Sequence, residues 1–127
     1  MDDEQKKENM ITTLYNGVKS MEYFFVPVGQ MPVLDEQVRE NEQTPIVFEM
    51  LVTPERERWF AVFTSIDEYN ASGYEQGVRI YYGEMIRAVL VNEDVAGLYI
   101  DPYGDGVQIG KEELLDIFQR IAEEGER

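Results

Sequence analysis

The chain has 127 residues, the usual size of one domain, and 43% of them are hydrophobic, with six Phe, eight Tyr and one Trp available to fill a core. Its 26 Asp and Glu against 11 Lys and Arg give a formal net charge of −15, which repels nucleic-acid backbones and anionic lipid surfaces; the charge reads first as a solubilising surface field, with attraction of a basic protein partner as the second reading. Cys and His are both absent, so disulfides, thiolate nucleophiles, zinc–thiolate sites and Ser-His-Asp chemistry are excluded.

The start, Met1-Asp2-Asp3-Glu4, lacks the basic and apolar regions of a secretory signal, and no apolar run is long enough to span a bilayer. A cytoplasmic protein with no membrane contact is therefore expected. Ile11, Leu14, Tyr15 and Val18 recur at i, i+3, i+4 and i+7, which predicts a helix over Asp3–Lys19 with that stripe facing inward. Tyr23–Val28 is aromatic and β-branched, and Pro27, which lacks an N–H, points to an edge strand. Gly29–Gln43 holds Pro32 and several charges without periodicity and reads as a loop.

Ile46–Val52 and Arg58–Phe63 read as a hairpin closed by the turn formers around Pro54. Alternation places Ile46, Phe48, Met50 and Val52 toward the core, Glu49 toward water, and Trp59, Ala61 and Phe63 as the matching set on the second strand. Ser65-Ile66-Asp67-Glu68 has the form of a capping box and starts a short helix to about Ala71. Gly73 and Gly77 bracket a turn before a strand over Val78–Tyr82, and Tyr82, Met85, Ile86, Val89 and Leu90 mark a helix ending near Asn92. Gly97–Ile100 and Val107–Ile109 form a second hairpin around the turn Asp101–Gly106. Leu114, Ile117, Phe118 and Ile121 define the last helix, with Glu112 and Glu113 in its first turn and fraying from Glu123. One domain over residues 1–127 is expected, of the α+β class, with a mixed or antiparallel sheet of about five to six strands and helices packed against it.

The strand ending in Phe63-Thr64, the capped helix at Ser65-x-x-Glu68, and the Gly97-Leu98-Tyr99-Ile100-Asp101-Pro102-Tyr103-Gly104 segment before a last amphipathic helix resemble the N-terminal domain of the bacterial SseB family, named for enhanced serine sensitivity. The resemblance covers roughly Val33 to Ile121. It implies an α+β domain without the C-terminal domain of longer members, in a cytoplasmic protein of largely undefined biochemical role. Family members often carry Asn where this chain has Asp101.

Three groups of residues could carry chemistry. Asp101 and Asp105 flank glycines, yet Val107 and Ile109 stand where a calcium loop needs further oxygen ligands, so the segment reads as a turn. Its first four residues, Asp101, Pro102, Tyr103 and Gly104, are the candidate partner-binding turn. Asp67 with Glu68 and Glu93 with Asp94 are adjacent carboxylates at helix ends, where capping accounts for them. Tyr74, Tyr81, Tyr82, Tyr99 and Tyr103 cluster in the second half, and Tyr is a frequent interface anchor. No phosphate loop is present, because Gly104-Asp105-Gly106 lacks the Lys and helix start that such a loop needs. The chain thus reads as a non-catalytic interaction or regulatory module without cofactor or metal. The alternative is an enzyme using Asp, Glu and Tyr as acids and bases on a small molecule.

Overall fold

A computed structural model of the chain describes residues 3–30 and 46–125. The first apolar stripe forms α1 (Asp3–Lys19), which buries Leu14 and Gly17 and has Lys19 in its last turn, where the helix dipole favours a cation. The chain then turns at Met21, whose φ of 60° is left-handed, while the N–H groups of Met21 and Glu22 return to the carbonyls of Val18 and Gly17. This closure normally uses Gly, and a side chain in that conformation costs about 1–2 kcal/mol. β1 (Tyr23–Gln30) follows and runs into the stretch expected as a loop; the rest of that stretch, 31–43, lies outside the described residues.

The run Ile46–Val52 is divided at Glu49 into β2 (Ile46–Phe48) and β3 (Met50–Val52), and β4 (Arg58–Val62) returns beside β3. α2 (Ile66–Ser72) is capped by Ser65, whose hydroxyl accepts the Glu68 N–H at 3.1 Å, and ends on Gly73 in the left-handed region at φ 85°. β5 (Gly77–Tyr81) passes directly into α3 (Tyr82–Val91), and β6 (Gly97–Ile100), β7 (Val107–Gly110) and α4 (Lys111–Gly125) complete the order. α4 does not fray at Glu123, because Glu124 bonds the Tyr15 hydroxyl and pairs with Lys19 of α1.

The strands form a three-stranded sheet ordered β2-β1-β5 and a four-stranded sheet ordered β3-β4-β6-β7. All pairs are antiparallel except β4 with β6, so the four-stranded sheet is mixed. The fold is therefore α+β as expected, and the described residues hold seven strand segments because Glu49 splits one of the six expected strands. Glu49 is also the joint between the sheets: its N–H donates to the Pro27 carbonyl at 3.0 Å and its carbonyl accepts the Ala61 N–H at 3.2 Å. Beyond this joint Phe25 and Phe63 exchange both backbone hydrogen bonds directly.

β1 is consequently an interior strand, not an edge. Pro27 is tolerated because it lies where β1 passes from Phe63 to Glu49, and only its carbonyl is needed there. The core face of the sheets carries Phe24, Val26, Phe60, Val62, Leu98, Ile100 and Ile109, covered by Leu14 of α1, Met85, Ile86 and Val89 of α3, and Leu114 and Ile117 of α4. Phe60 and Val62, not Trp59, Ala61 and Phe63, therefore match Phe48 across the hairpin; the latter three are buried on the opposite face. Met50 and Val52 are exposed despite their expected burial, since they lie at the sheet's margin, and Glu49 is half-buried instead of facing water. Among the described residues no helix is long and apolar enough to cross a membrane.

Lys7 of α1 forms an ion pair with Glu113 in the first turn of α4. Burial of the Glu113 carboxyl opposes ionisation, but the Lys7 ammonium and backbone donors at Glu113 and Gly110 outweigh it and hold its pKa below the usual carboxylate value. A carboxylate whose pKa is lower folded than unfolded stabilises the fold above the unfolded value and loses that contribution as pH falls through the folded one. Replacing Lys7→Met should cost a few tenths to about 1 kcal/mol at neutral pH, and in urea titrations the difference from wild type should shrink progressively as pH falls below the usual carboxylate range.

Close packing leaves no room for a side chain at Gly97. A Cβ there would overlap the Ile109 carbonyl and stand 2.9 Å from the Gly110 Cα and 2.8 Å from the Trp59 ring, so neither neighbour can yield cheaply. Ala would gain about 0.5–1 kcal/mol in backbone propensity over Gly, which is less than the about 1–3 kcal/mol typical of overpacking. Gly97→Ala should therefore lower stability by about 2 kcal/mol or more, read from the urea midpoint.

Candidate functional site

The face of the sheets opposite α1, α3 and α4 carries an aromatic cluster centred on Phe63, the residue just past β4 and fully buried. Tyr69 of α2 meets its ring edge-on at 5.8 Å, Tyr74 at 6.2 Å, and Tyr103 stacks on it at 6.4 Å with 17° between planes. Each ring reaches this point for a local reason. Ser65 fixes the start of α2 and so the direction of Tyr69, while Gly73 turns the chain and the Ser72 hydroxyl accepts the Tyr74 N–H at 3.2 Å.

Tyr103 is placed by the turn between β6 and β7, and that turn is held by Asp101. The residue adopts a left-handed φ of 50°, which Asp tolerates better than most side chains. Its N–H donates to the Val62 carbonyl at 2.9 Å, and its carbonyl accepts the N–H groups of Gly104 and Gly106, both at 3.0 Å. Its carboxylate is taken up by Thr64, whose N–H donates to Oδ1 at 2.8 Å and whose hydroxyl donates to Oδ2 at 2.6 Å. Thr64 lies between Phe63 and the cap Ser65, so one carboxylate ties the turn to the corner joining β4 and α2. Glu68 lies against the same turn: a Cβ on Gly104 would stand 2.6 Å from its Oε2.

The four residues of the candidate turn thus take different places. Asp101 faces inward and is committed to Thr64, Pro102 is half-buried, Gly104 closes the turn, and Tyr103 is 56% exposed. Of the five clustered tyrosines, the structure brings together Tyr74 and Tyr103, with hydroxyls 3.4 Å apart, and beside them Tyr69, which the cluster in sequence omitted. Tyr82 stacks on Phe24 in the core at 4.1 Å, Tyr81 ends β5, and Tyr99 lies beside Gly106. Burial, followed by the hydrogen bond with Tyr103, pushes the Tyr74 phenol well above its ordinary pKa. The Tyr74 phenol therefore resists forming a phenolate.

Glu93 and Asp94 are exposed in the turn after α3, where the Asn92 side chain accepts the Asp94 N–H at 3.0 Å, and Asp67 is exposed in the first turn of α2. Among the described residues no three acidic side chains converge in a way that could hold an ion. The Trp59 indole N–H and the Tyr69 hydroxyl are buried with no partner among the described residues. Compared with protein-family models, curated proteins and solved structures, the chain matches none.

The clamp is testable by chemistry that separates Asn from Ala. Asp101→Asn keeps an acceptor for the Thr64 N–H and tolerates the left-handed backbone, so it should cost about 1 kcal/mol or less. Asp101→Ala strands the Thr64 N–H and strains the backbone, and should cost about 2–3 kcal/mol in urea unfolding. A double-mutant cycle with Thr64→Val should return a coupling of about 1 kcal/mol.

Proposed function

We propose that the chain is a non-catalytic protein-interaction or regulatory module of the bacterial cytoplasm, and that it contacts a basic partner through the turn carrying Tyr103. The observation that carries this reading is Tyr103 itself. It is 56% exposed, yet its ring is braced on Phe63 and its hydroxyl lies within reach of Tyr74, so little side-chain entropy remains to be lost on binding. A rigid, exposed aromatic on a tied turn is the kind of anchor that concentrates binding energy at interfaces. The net charge of −15 favours a basic partner and accelerates its encounter.

The segments that resemble the SseB N-terminal domain, Phe63-Thr64, Ser65-x-x-Glu68 and the Asp101-Pro102-Tyr103-Gly104 turn, carry no catalytic signature. The acid–base alternative would use Tyr74 with Glu68 or Asp101. Burial keeps the Tyr74 phenol protonated and Asp101 is occupied by Thr64, so that alternative draws no support from the cluster.

Affinity capture from the native lysate on immobilised wild type, Tyr103→Ala and Leu115→Ala tests the reading. A partner held by wild type and by Leu115→Ala, but about tenfold or more weaker on a folded Tyr103→Ala, is expected. Binding indifferent to Tyr103 would remove the turn from the interface. Turnover in a hydrolase screen that disappears with Glu68→Ala while the fold is kept would put the enzymatic alternative first.

A further inference from the structure

A second surface lies in the helix layer, away from the Tyr103 turn. The end of α1, the start of α3 and the end of α4 leave an apolar groove of about 530 Å³ between them. Val18 and Met21 line it from the end of α1 and the turn that follows, Phe118 and Ile121 from α4, and Tyr81 from the end of β5. Met21 is 62% exposed and Tyr81 43% exposed, so the groove places large apolar surface in water.

Met21 also bears a second cost. It occupies the left-handed closing position of α1, where glycine fits without strain, and most of its side chain stays in water. A strained and exposed side chain at the mouth of an apolar groove points to a use outside the folded chain. Methionine suits that use, because its unbranched thioether adapts to the side chains of a partner.

The surroundings select the occupant. Among the described residues, the groove's lining carries the exposed carboxylates of Glu22 and Glu84 against one cation, Arg87, within a chain of net charge −15. A second copy of the chain and an anionic lipid surface are both repelled, whereas Lys and Arg are attracted. The walls contributed by α1, α3 and α4 are helices whose backbone groups bond internally, so an extended peptide would find few partners for its own N–H and C=O groups there. A helix satisfies its own backbone and presents anchors at i, i+3, i+4 and i+7. We infer that the groove of Val18, Met21, Tyr81, Phe118 and Ile121 binds an amphipathic helix with a basic flank, supplied by a partner protein.

This inference goes beyond the Tyr103 reading and stands on separate residues. The probe is a synthetic Leu/Lys peptide with Leu at i, i+3, i+4 and i+7, titrated by fluorescence anisotropy, beside a Leu/Glu peptide with the same stripe and a Ser/Lys peptide without it. The Leu/Lys peptide should bind and shift the Met21 methyl resonance, and both control peptides should bind about tenfold or more weakly. Met21→Gly relieves the backbone, so its melting temperature should hold or rise while peptide affinity falls about fivefold. Ala122→Lys places a cation in the groove at an exposed helical position, and should weaken binding about tenfold. Leu115→Lys makes the same charge change on α4 outside the groove and should not; Tyr103→Ala should leave the peptide affinity unchanged.

Equal weakening by Ala122→Lys and Leu115→Lys would assign the attraction to the general acidic field and overturn the inference. So would equal binding of the Leu/Glu peptide, absence of Leu/Lys binding, or concentration-dependent dimerisation that Ala122→Lys abolishes, which would give the groove to a second copy.

Discussion

Burial of β4 on both faces is the constraint from which the rest of the architecture follows. Phe60 and Val62 face the three long helices, while Trp59, Ala61 and Phe63 are equally withdrawn from water on the other side. A strand of this kind needs cover twice. The helices supply one cover, and α2 with the segment through Tyr74 and the Asp101 turn supplies the cover around Phe63. The aromatic cluster is thus first a packing solution, and Tyr103 is the ring that remains accessible after Phe63 has been enclosed.

Much of the fold was legible because the apolar periodicity is strong where helices meet the core. Leu14, the Tyr82–Val89 stripe, Leu114 and Ile117 are buried as their spacing requires. Alternation was less reliable on Ile46–Val52 and Arg58–Phe63. The continuous run Trp59-Phe60-Ala61-Val62-Phe63 carries no information about which alternate set faces the main core, and both sets are buried. Pro27 misled for a related reason: proline marks a place where one N–H is dispensable, and a junction between two sheets provides that as well as an edge does.

The site was legible at its turn and not in its depth. Asp-Pro with nearby glycines announces a turn, and Ser65-x-x-Glu68 announces the helix beside it. Nothing local in the sequence couples Asp101 to Thr64, because that bond depends on β6 lying parallel to β4. Phe63 and Tyr69 were missed as members of the cluster for the same reason. The signal that existed was the apolar alternate set Trp59, Ala61 and Phe63, which implied that something must cover the second face.

The two surfaces divide along the sheets. The groove belongs to the layer of α1, α3 and α4, while the Tyr103 turn belongs to the opposite face with α2. Occupation of one surface therefore leaves the other accessible. They also differ in what a ligand must overcome. Tyr103 is braced by Phe63 and Tyr74 and is offered in a fixed orientation, whereas Met21 is exposed on a strained closure and can change rotamer on contact. A rigid aromatic anchor favours one geometry of partner, and an adaptable methionine beside a broad apolar groove tolerates several. Were both surfaces to bind partners as proposed, selectivity would belong to the turn, and the groove would accept helices of varied sequence and common charge.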